Sequence, residues 1–539
     1  MPAGTMTATR HCRSRVRAVA LLALVRAVLS ADPLHAGGGE ELLRARCAGC
    51  HESGDGKTLS RIDDGRRTPE GWDMTVQRMV SLHDVRLTED ERAVLVKHLA
   101  DTRGLAPDET RGQRAMLERR PAVLETPADE EVAAMCGRCH SLARTALQRR
   151  TAADWRRLVH FHMAQWPTLE YQGGIRDKDW WEISSGRLPE RLGTLYPRDD
   201  EGWRRWREHA TPDLSGKWRL AGHRPGTGAY DGTMQLTPKA GDRYDIALEL
   251  AWADGKRTRS RGHGILYTGY EWRAQLTGDG GTTRQVLMLD ADGNALAGRW
   301  FPLDEDTRGA ELRGIRVRDG ARAILAVVPS ALRAGQETQL TLHGTGLAGE
   351  VALGPGIAIV RSVAATPDTV RVVVRAAADA PVGARDVAVG ESRAPGLLTL
   401  YRRIDSVRVE PAFTIARVGG NGKTARVPAQ LEAVAYMNGP DGQPGTADDV
   451  RIGPMRARWS ATNFNPAATA ARDAAFAGRF EPSGLFVPNA AGPNPQRKFR
   501  TNNAGDLAVH AVVQDGDRTL TADGHLIVTV QRWNDPPIL

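Results

Sequence analysis

Two pentapeptides, Cys47-Ala48-Gly49-Cys50-His51 and Cys136-Gly137-Arg138-Cys139-His140, constrain this chain more than any other feature. Two cysteines separated by two residues and followed at once by histidine have the spacing of a c-type haem attachment site. Each thiol adds to one haem vinyl group, and the adjacent histidine supplies an axial nitrogen to the iron. A zinc site needs four ligands in two paired groups, and here both pairs carry the extra histidine. The sequence therefore predicts two covalent haem c groups. Cys47, Cys50, His51, Cys136, Cys139 and His140 are the attachment residues, with His51 and His140 bound to iron.

The chain has 539 residues, room for three or four domains at about 150 residues each. Glycine is abundant (57) and aromatics are few (5%), which suits many short strands joined by turns. The net charge of +8 comes from arginines interleaved with acids. No nucleic-acid motif accompanies them, so they read as a solvated surface, or as a face that steers an acidic redox partner. Of five cysteines, four belong to the haem motifs and Cys12 lies in the leader, which leaves no pair for an ordinary disulfide.

Residues 1–36 read as a secretory signal peptide. Arg10, Arg13, Arg15 and Arg17 form a basic start, Val16 to Ala31 is apolar but for Arg26, and Leu34-His35-Ala36 offers a cleavage site before Gly37. The uninterrupted apolar run is too short to span a bilayer. Export to the periplasm agrees with haem attachment outside the bacterial cytoplasm.

Residues 37–210 are expected to form an all-α dihaem cytochrome c domain. Thr68-Pro69-Glu70 marks a helix start, and Trp72, Val76, Met79 and His83 then share one face. Thr88 to Glu91 is a capping box. The second half repeats this: Thr151 to Asp154 opens a helix in which Trp155, Val159, His162 and Trp166 keep the same steps. A shift of 83 carries Trp72 onto Trp155, Val76 onto Val159 and Met79 onto His162, an internal duplication of one haem-binding unit. It nominates Met79 and His162 as the sixth iron ligands. Met74 and His83 are rivals for the first iron, His160 and Met163 for the second. Methionine raises the potential relative to bis-histidine ligation, so electrons would run from the second haem to the first. Trp180-Trp181 and Trp203 to Trp206 read as core of a closing helix bundle, or as an electron path.

From residue 211 the period changes to alternation. Residues 211–320 suit an antiparallel β-barrel, and 321–403 and 404–539 suit immunoglobulin-like β-sandwiches. Asp441, Asp448 and Asp449 surround glycines in a loop that could bind calcium, but the spacing is not that of an EF-hand, and a solvated turn is the better reading. His223, His263 and His510 stand alone and read as structural or surface residues. No nucleophile–base pair, phosphate loop or dinucleotide fingerprint is visible, so the chemistry is assigned to the haems.

In this order of parts the chain resembles the α (haem) subunit of quinohaemoprotein amine dehydrogenase. The residues that carry the resemblance are the two haem motifs, Thr68-Pro69-Glu70-Gly71-Trp72, Arg78-Met79, Leu87 to Arg92 and Leu214-Ser215-Gly216-Lys217-Trp218. The resemblance implies a periplasmic heterotrimer. In it a γ subunit bearing cysteine tryptophylquinone oxidises primary amines to aldehyde and ammonia, and a β subunit is folded as a propeller. The α subunit relays electrons through its two haems to a soluble cytochrome c or blue copper protein. Three other readings stay open: a stand-alone dihaem electron carrier, a dihaem peroxidase with an open sixth position, and a secreted adhesion-type protein.

Overall fold

The computed structural model describes residues 36–137, 140–165, 178–422 and 424–530. The expected signal peptide with Cys12, the Arg138-Cys139 pair and Trp166-Pro167 lie outside the described residues. No described helix is long and apolar enough to cross a membrane.

Helix α1 (Ala36–His51) ends on the first haem motif. Helix α2 (Pro69–His83) starts as its sequence dictates: the Thr68 hydroxyl accepts from the Gly71 amide at 3.3 Å, and Pro69 occupies the first turn. It stops where Asp84 turns left-handed, at φ 53°. Helix α3 (Glu89–Thr102) carries the complete Thr88–Glu91 capping box. In the second repeat Thr151 caps the Ala152–Gln165 helix through the Asp154 amide, 3.1 Å away. Trp72, Val76, Leu95 and Leu99 share a core with Leu43 and Leu59. Trp155 and Val159 share another with Val132, Met135, Trp180 and Leu188.

This unit is not purely helical. Strands β1 (Gly65–Arg67) and β2 (Gln148–Arg150) pair antiparallel, Gly65 with Arg150, Arg66 with Arg149 and Arg67 with Gln148. Three arginine-rich residues are too few to show a strand period, so sequence reading missed them. The strands sit at equivalent places in the two repeats. The Glu109 carboxylate clamps both, bonding Arg66 through two contacts of 2.8 and 2.9 Å and Arg149 at 2.7 Å.

Eight consecutive antiparallel strands, Gly216–Arg224 to Ala310–Arg316, close into a barrel when the last pairs with the first, Glu311 opposite His223. Its interior is filled by Trp218, Met234, Leu266, Trp272, Leu276 and their neighbours. The barrel is seated directly on the helical unit. Tyr270 donates to the Leu105 carbonyl at 3.1 Å, and the Thr268 amide donates to Asp101 at 2.7 Å. Trp206 packs against the barrel and donates to the Thr268 carbonyl at 2.8 Å, while Trp180 and Trp203 are buried in the helical unit.

At the centre of this contact Glu271, 1% exposed, accepts from Arg114 at 2.5 Å and from Arg273 at 2.7 Å, and Arg273 reaches Glu70 at 2.5 Å. Burial alone would raise the Glu271 carboxyl. The Arg273 and Arg114 guanidiniums overcome it and hold the group below its usual range. Its contribution is therefore complete above the unfolded glutamate value of about 4.3 and is lost as pH falls through the lower native value. Glu271→Gln should cost about 3–5 kcal/mol near neutral pH, because it leaves two buried guanidiniums short of charge. The difference from wild type should shrink below about pH 4. Denaturant unfolding across that range checks both, and a pH-independent difference would refute the electrostatic account.

Residues 323–401 form two four-stranded sheets facing each other across Leu340, Leu342, Val372, Val374, Leu398 and Leu400. The last unit departs from a simple sandwich. It holds a four-stranded sheet, two three-stranded sheets and two short helices around one core. The Asp441–Asp449 loop is a turn held by its own bonds. Thr446 donates to Asp448, the Gln443 amide donates to Asp441 at 2.8 Å, and Asp449 pairs with Arg408. No described cluster of three or more His, Cys, Asp or Glu side chains is arranged to hold a metal ion. The isolated histidines each bond an acid: His223 bonds Glu432, the exposed His263 bonds Asp245 and His510 bonds Asp523.

Candidate haem sites

The first motif closes α1. Cys47 is half-buried against the Leu43–Trp72 core and Cys50 is exposed. Burial, with Cys50 adding to it, pushes the Cys47 thiol up. After His51 the chain folds back on itself. Ser60 donates its amide to the His51 carbonyl at 2.6 Å and accepts at its own carbonyl from His51 Nδ1 at 2.9 Å. With Nδ1 engaged, Nε2 is the nitrogen left for a metal. Met79 is half-buried on the α2 face that carries Trp72 and Val76. His83 is exposed at the end of that helix.

The second motif closes the short Glu130–Cys136 helix, which Asp129 caps through the Val132 amide at 2.9 Å. Burial pushes the Cys136 thiol up to about 11. His140 Nδ1 donates to the Ser141 carbonyl at 2.8 Å, again leaving Nε2. Glu125 fixes the segment that follows, accepting from Ser141 Oγ and from the Leu142 and Ala143 amides at 2.5–2.8 Å. Burial opposes its ionisation, but these bonds and His140 prevail and keep the carboxyl low.

Cys136, His140 and His162 line one cavity of about 480 Å³, walled by Leu117, Leu147, Val159 and Leu188 among others. His162 Nδ1 donates to the Leu158 carbonyl one turn back, at 2.8 Å, so its Nε2 also is left for a metal. Burial keeps His162 neutral more firmly than usual, and the nearby His140 acts in the same direction. Neutral imidazole is the ligating form. Of the rivals, His160 is exposed against the edge of Trp181, and Met163 packs with the core that includes Cys136. Met74, a rival for the first iron, lines the second cavity instead, with its sulfur 3.0 Å from Arg144. Met116 lines it too, and no sequence signal pointed there. Thiols, imidazole nitrogens and apolar walls are a donor set that fits haem.

Two imidazoles and the Cys136 thiol gathered at one cavity, in a helical unit that carries three β units, define a multidomain haem-binding protein. Family models place it further. The haem-binding domain of the quinohemoprotein amine dehydrogenase alpha subunit matches residues 37–203, and its domains II, III and IV match 211–317, 321–402 and 407–538. The chain belongs to the quinohemoprotein amine dehydrogenase alpha-subunit family.

A search of curated proteins finds no match. Among solved structures, a de novo designed fluorescence-activating β-barrel is 20% identical over 19% of this chain and 93% of its own, with a TM-score of 0.17. Mouse clustered PcdhgC3 EC1-3 is 12% identical over 46% and 86%, also at 0.17. The zebrafish RET cadherin-like domains 1 to 4 are 10% identical over 54% and 57%, at 0.18. Scores this low carry no functional meaning.

Proposed function

We propose that this chain is the dihaem electron-transfer subunit of a periplasmic amine dehydrogenase, exported by the leader in residues 1–36. Haem c is attached through Cys47 and Cys50, with His51 and Met79 on the iron, and through Cys136 and Cys139, with His140 and His162 on the iron. Bound there, the two groups supply one-electron transfer. They take electrons from a cysteine tryptophylquinone on a partner γ subunit, which oxidises primary amines to aldehyde and ammonia, and pass them to a soluble cytochrome c or blue copper protein. A β propeller subunit completes the heterotrimer. The units at 37–210, 211–320, 321–403 and 404–539 are the haem domain, the barrel and two immunoglobulin-like sandwiches, the last one elaborated.

The observation that carries this reading is the pairing of His140 and His162 in one cavity, each with Nδ1 held by a backbone carbonyl. The chain's part is to hold two neutral imidazoles in fixed tautomers, in a cavity whose wall combines apolar side chains with the cations of Arg67, Arg78, Arg144 and Arg150. Two closed axial positions suit electron transfer. A peroxidase needs one open position, so this arrangement counts against it.

In the native complex, a primary amine is expected to reduce both haems, visible as sharpened α-bands, and only when a small quinone-bearing polypeptide co-purifies. Reduction without that polypeptide would favour a stand-alone carrier. High-spin ferric haem with peroxide turnover would favour the peroxidase.

A further inference from the structure

The two repeats differ at one buried position in a way that asks for an anion. By the 83-residue shift, Arg67 corresponds to Arg150 and Gly71 to Asp154. Arg150 is buried, lies over the Trp155 ring at 5.5 Å and is paired with Asp154. Arg67 is as deeply buried, at 6% exposure, and lies over the Trp72 ring at 4.4 Å. The acid that would neutralise it is replaced by Gly71, where a Cβ would stand only 3.0 Å from Arg67 Cβ.

Among the described residues Arg67 makes no ion pair, and its Nη1 has no hydrogen-bond partner. Of the neighbouring acids, Asp154 bonds Arg150 and Glu70 bonds Arg273 through one oxygen each, and neither Asp154 Oδ1 nor Glu70 Oε2, both buried without a hydrogen-bond partner, bonds Arg67. Burial, reinforced by the Arg150 guanidinium and only partly offset by the charge of Asp154, pushes Arg67 well below its ordinary value, so the cation is incompletely compensated. A buried, unpaired charge is strongly unfavourable unless something pairs with it. Arg67 lines the same cavity as Cys136, His140 and His162, and Arg78 and Arg144 stand on that wall as well. The cavity is therefore rich in fixed positive charge close to two iron-ligating imidazoles.

We propose that Arg67, a residue of the first repeat, binds a propionate carboxylate of the haem attached in the second. A planar guanidinium matches a carboxylate through two parallel hydrogen bonds, and Arg78 and Arg144 balance the second carboxylate. The contact would tie the repeats together through the cofactor and favour the reduced, less positive iron. The proposal rests on the haem reading of the Cys136–His140 motif.

The test uses the full complex with Arg67→Gln and Arg67→Lys. Mass spectrometry of the peptide holding Cys136 reports haem attachment, and spectroelectrochemical titration reports both midpoints. In Arg67→Gln one haem, the one whose spin state responds to His162 substitution, should need a lower potential. Its oxidised-to-reduced ratio at fixed potential should rise about tenfold, about 59 mV for a one-electron couple, while the other haem stays put. Arg67→Lys, which keeps the charge but not the fork, should retain most of the midpoint and shift one propionate bending band in the resonance Raman spectrum. Should Arg67→Gln not accumulate, that band decides. Full haem content with unmoved midpoints, or an unmoved band in Arg67→Lys, would overturn the proposal alone. A haem-free peptide would overturn the reading of the second site with it.

Discussion

Replacing His162 by alanine is expected to turn one of the two haems from low-spin to high-spin while leaving it covalently attached. On the proposed reading the thioether cysteines Cys136 and Cys139 and the ligand His140 lie on other segments, so attachment should survive. What is lost is the imidazole on the cavity wall whose Nδ1 is fixed on Leu158, leaving Nε2 as the ligating nitrogen. About half of the low-spin absorption and EPR intensity should disappear, since one iron of two is affected. Exogenous imidazole should restore it. Met79→Ala should do the same to the other haem. If the spectrum of His162→Ala matches wild type, a thioether already on that wall, Met74 or Met116, is the ligand and the pairing by internal repeat is wrong.

The second large effect concerns the two matched tryptophans. Trp72 and Trp155 are each 1% exposed, and each lies under a buried arginine. Truncation of either to alanine should destabilise the haem domain by about 3–5 kcal/mol, the usual cost of deleting a buried aromatic. Phenylalanine separates the two. Trp72 Nε1 donates to the Arg103 carbonyl at 2.8 Å, whereas Trp155 Nε1 is buried without a partner. Trp72→Phe should therefore cost about 1 kcal/mol more than Trp155→Phe. Denaturant unfolding followed at the Soret band measures both, and equal costs would remove the hydrogen bond from the account.

The proposed haem sites could be nominated from the string because a c-type attachment motif is a run of contiguous residues. The motifs and the 83-residue echo are properties of the string, and both α2 and its counterpart start where Thr68 and Thr151 say they should. The β units were legible as alternation, which suggested an antiparallel barrel over 211–320, while the count of eight strands and the closure of the last on the first came from the structure. What was not legible depends on contacts between distant segments. Glu125 anchors the loop after His140 from 15 residues upstream, and Ser60 orients His51 from nine residues downstream. Neither is marked by spacing. Met74 sits only two residues from Trp72 and Val76, and helical phase turns it away from their face and toward the other repeat's cavity. The second three-stranded sheet of the last unit uses strands of two to four residues, below the length at which a period can be read.

The small β1–β2 ribbon has a consequence for how the molecule is built. Its pairing is its own mirror in sequence: Arg66 meets Arg149, its counterpart, and the flanking residues exchange places. A local two-fold axis therefore runs through that contact, with Glu109 lying close to it. This is the isologous geometry of a homodimer, realised within one polypeptide. Fusion has frozen the two halves in a one-to-one ratio. It has also let them diverge, so that one keeps an acid where the other has a glycine.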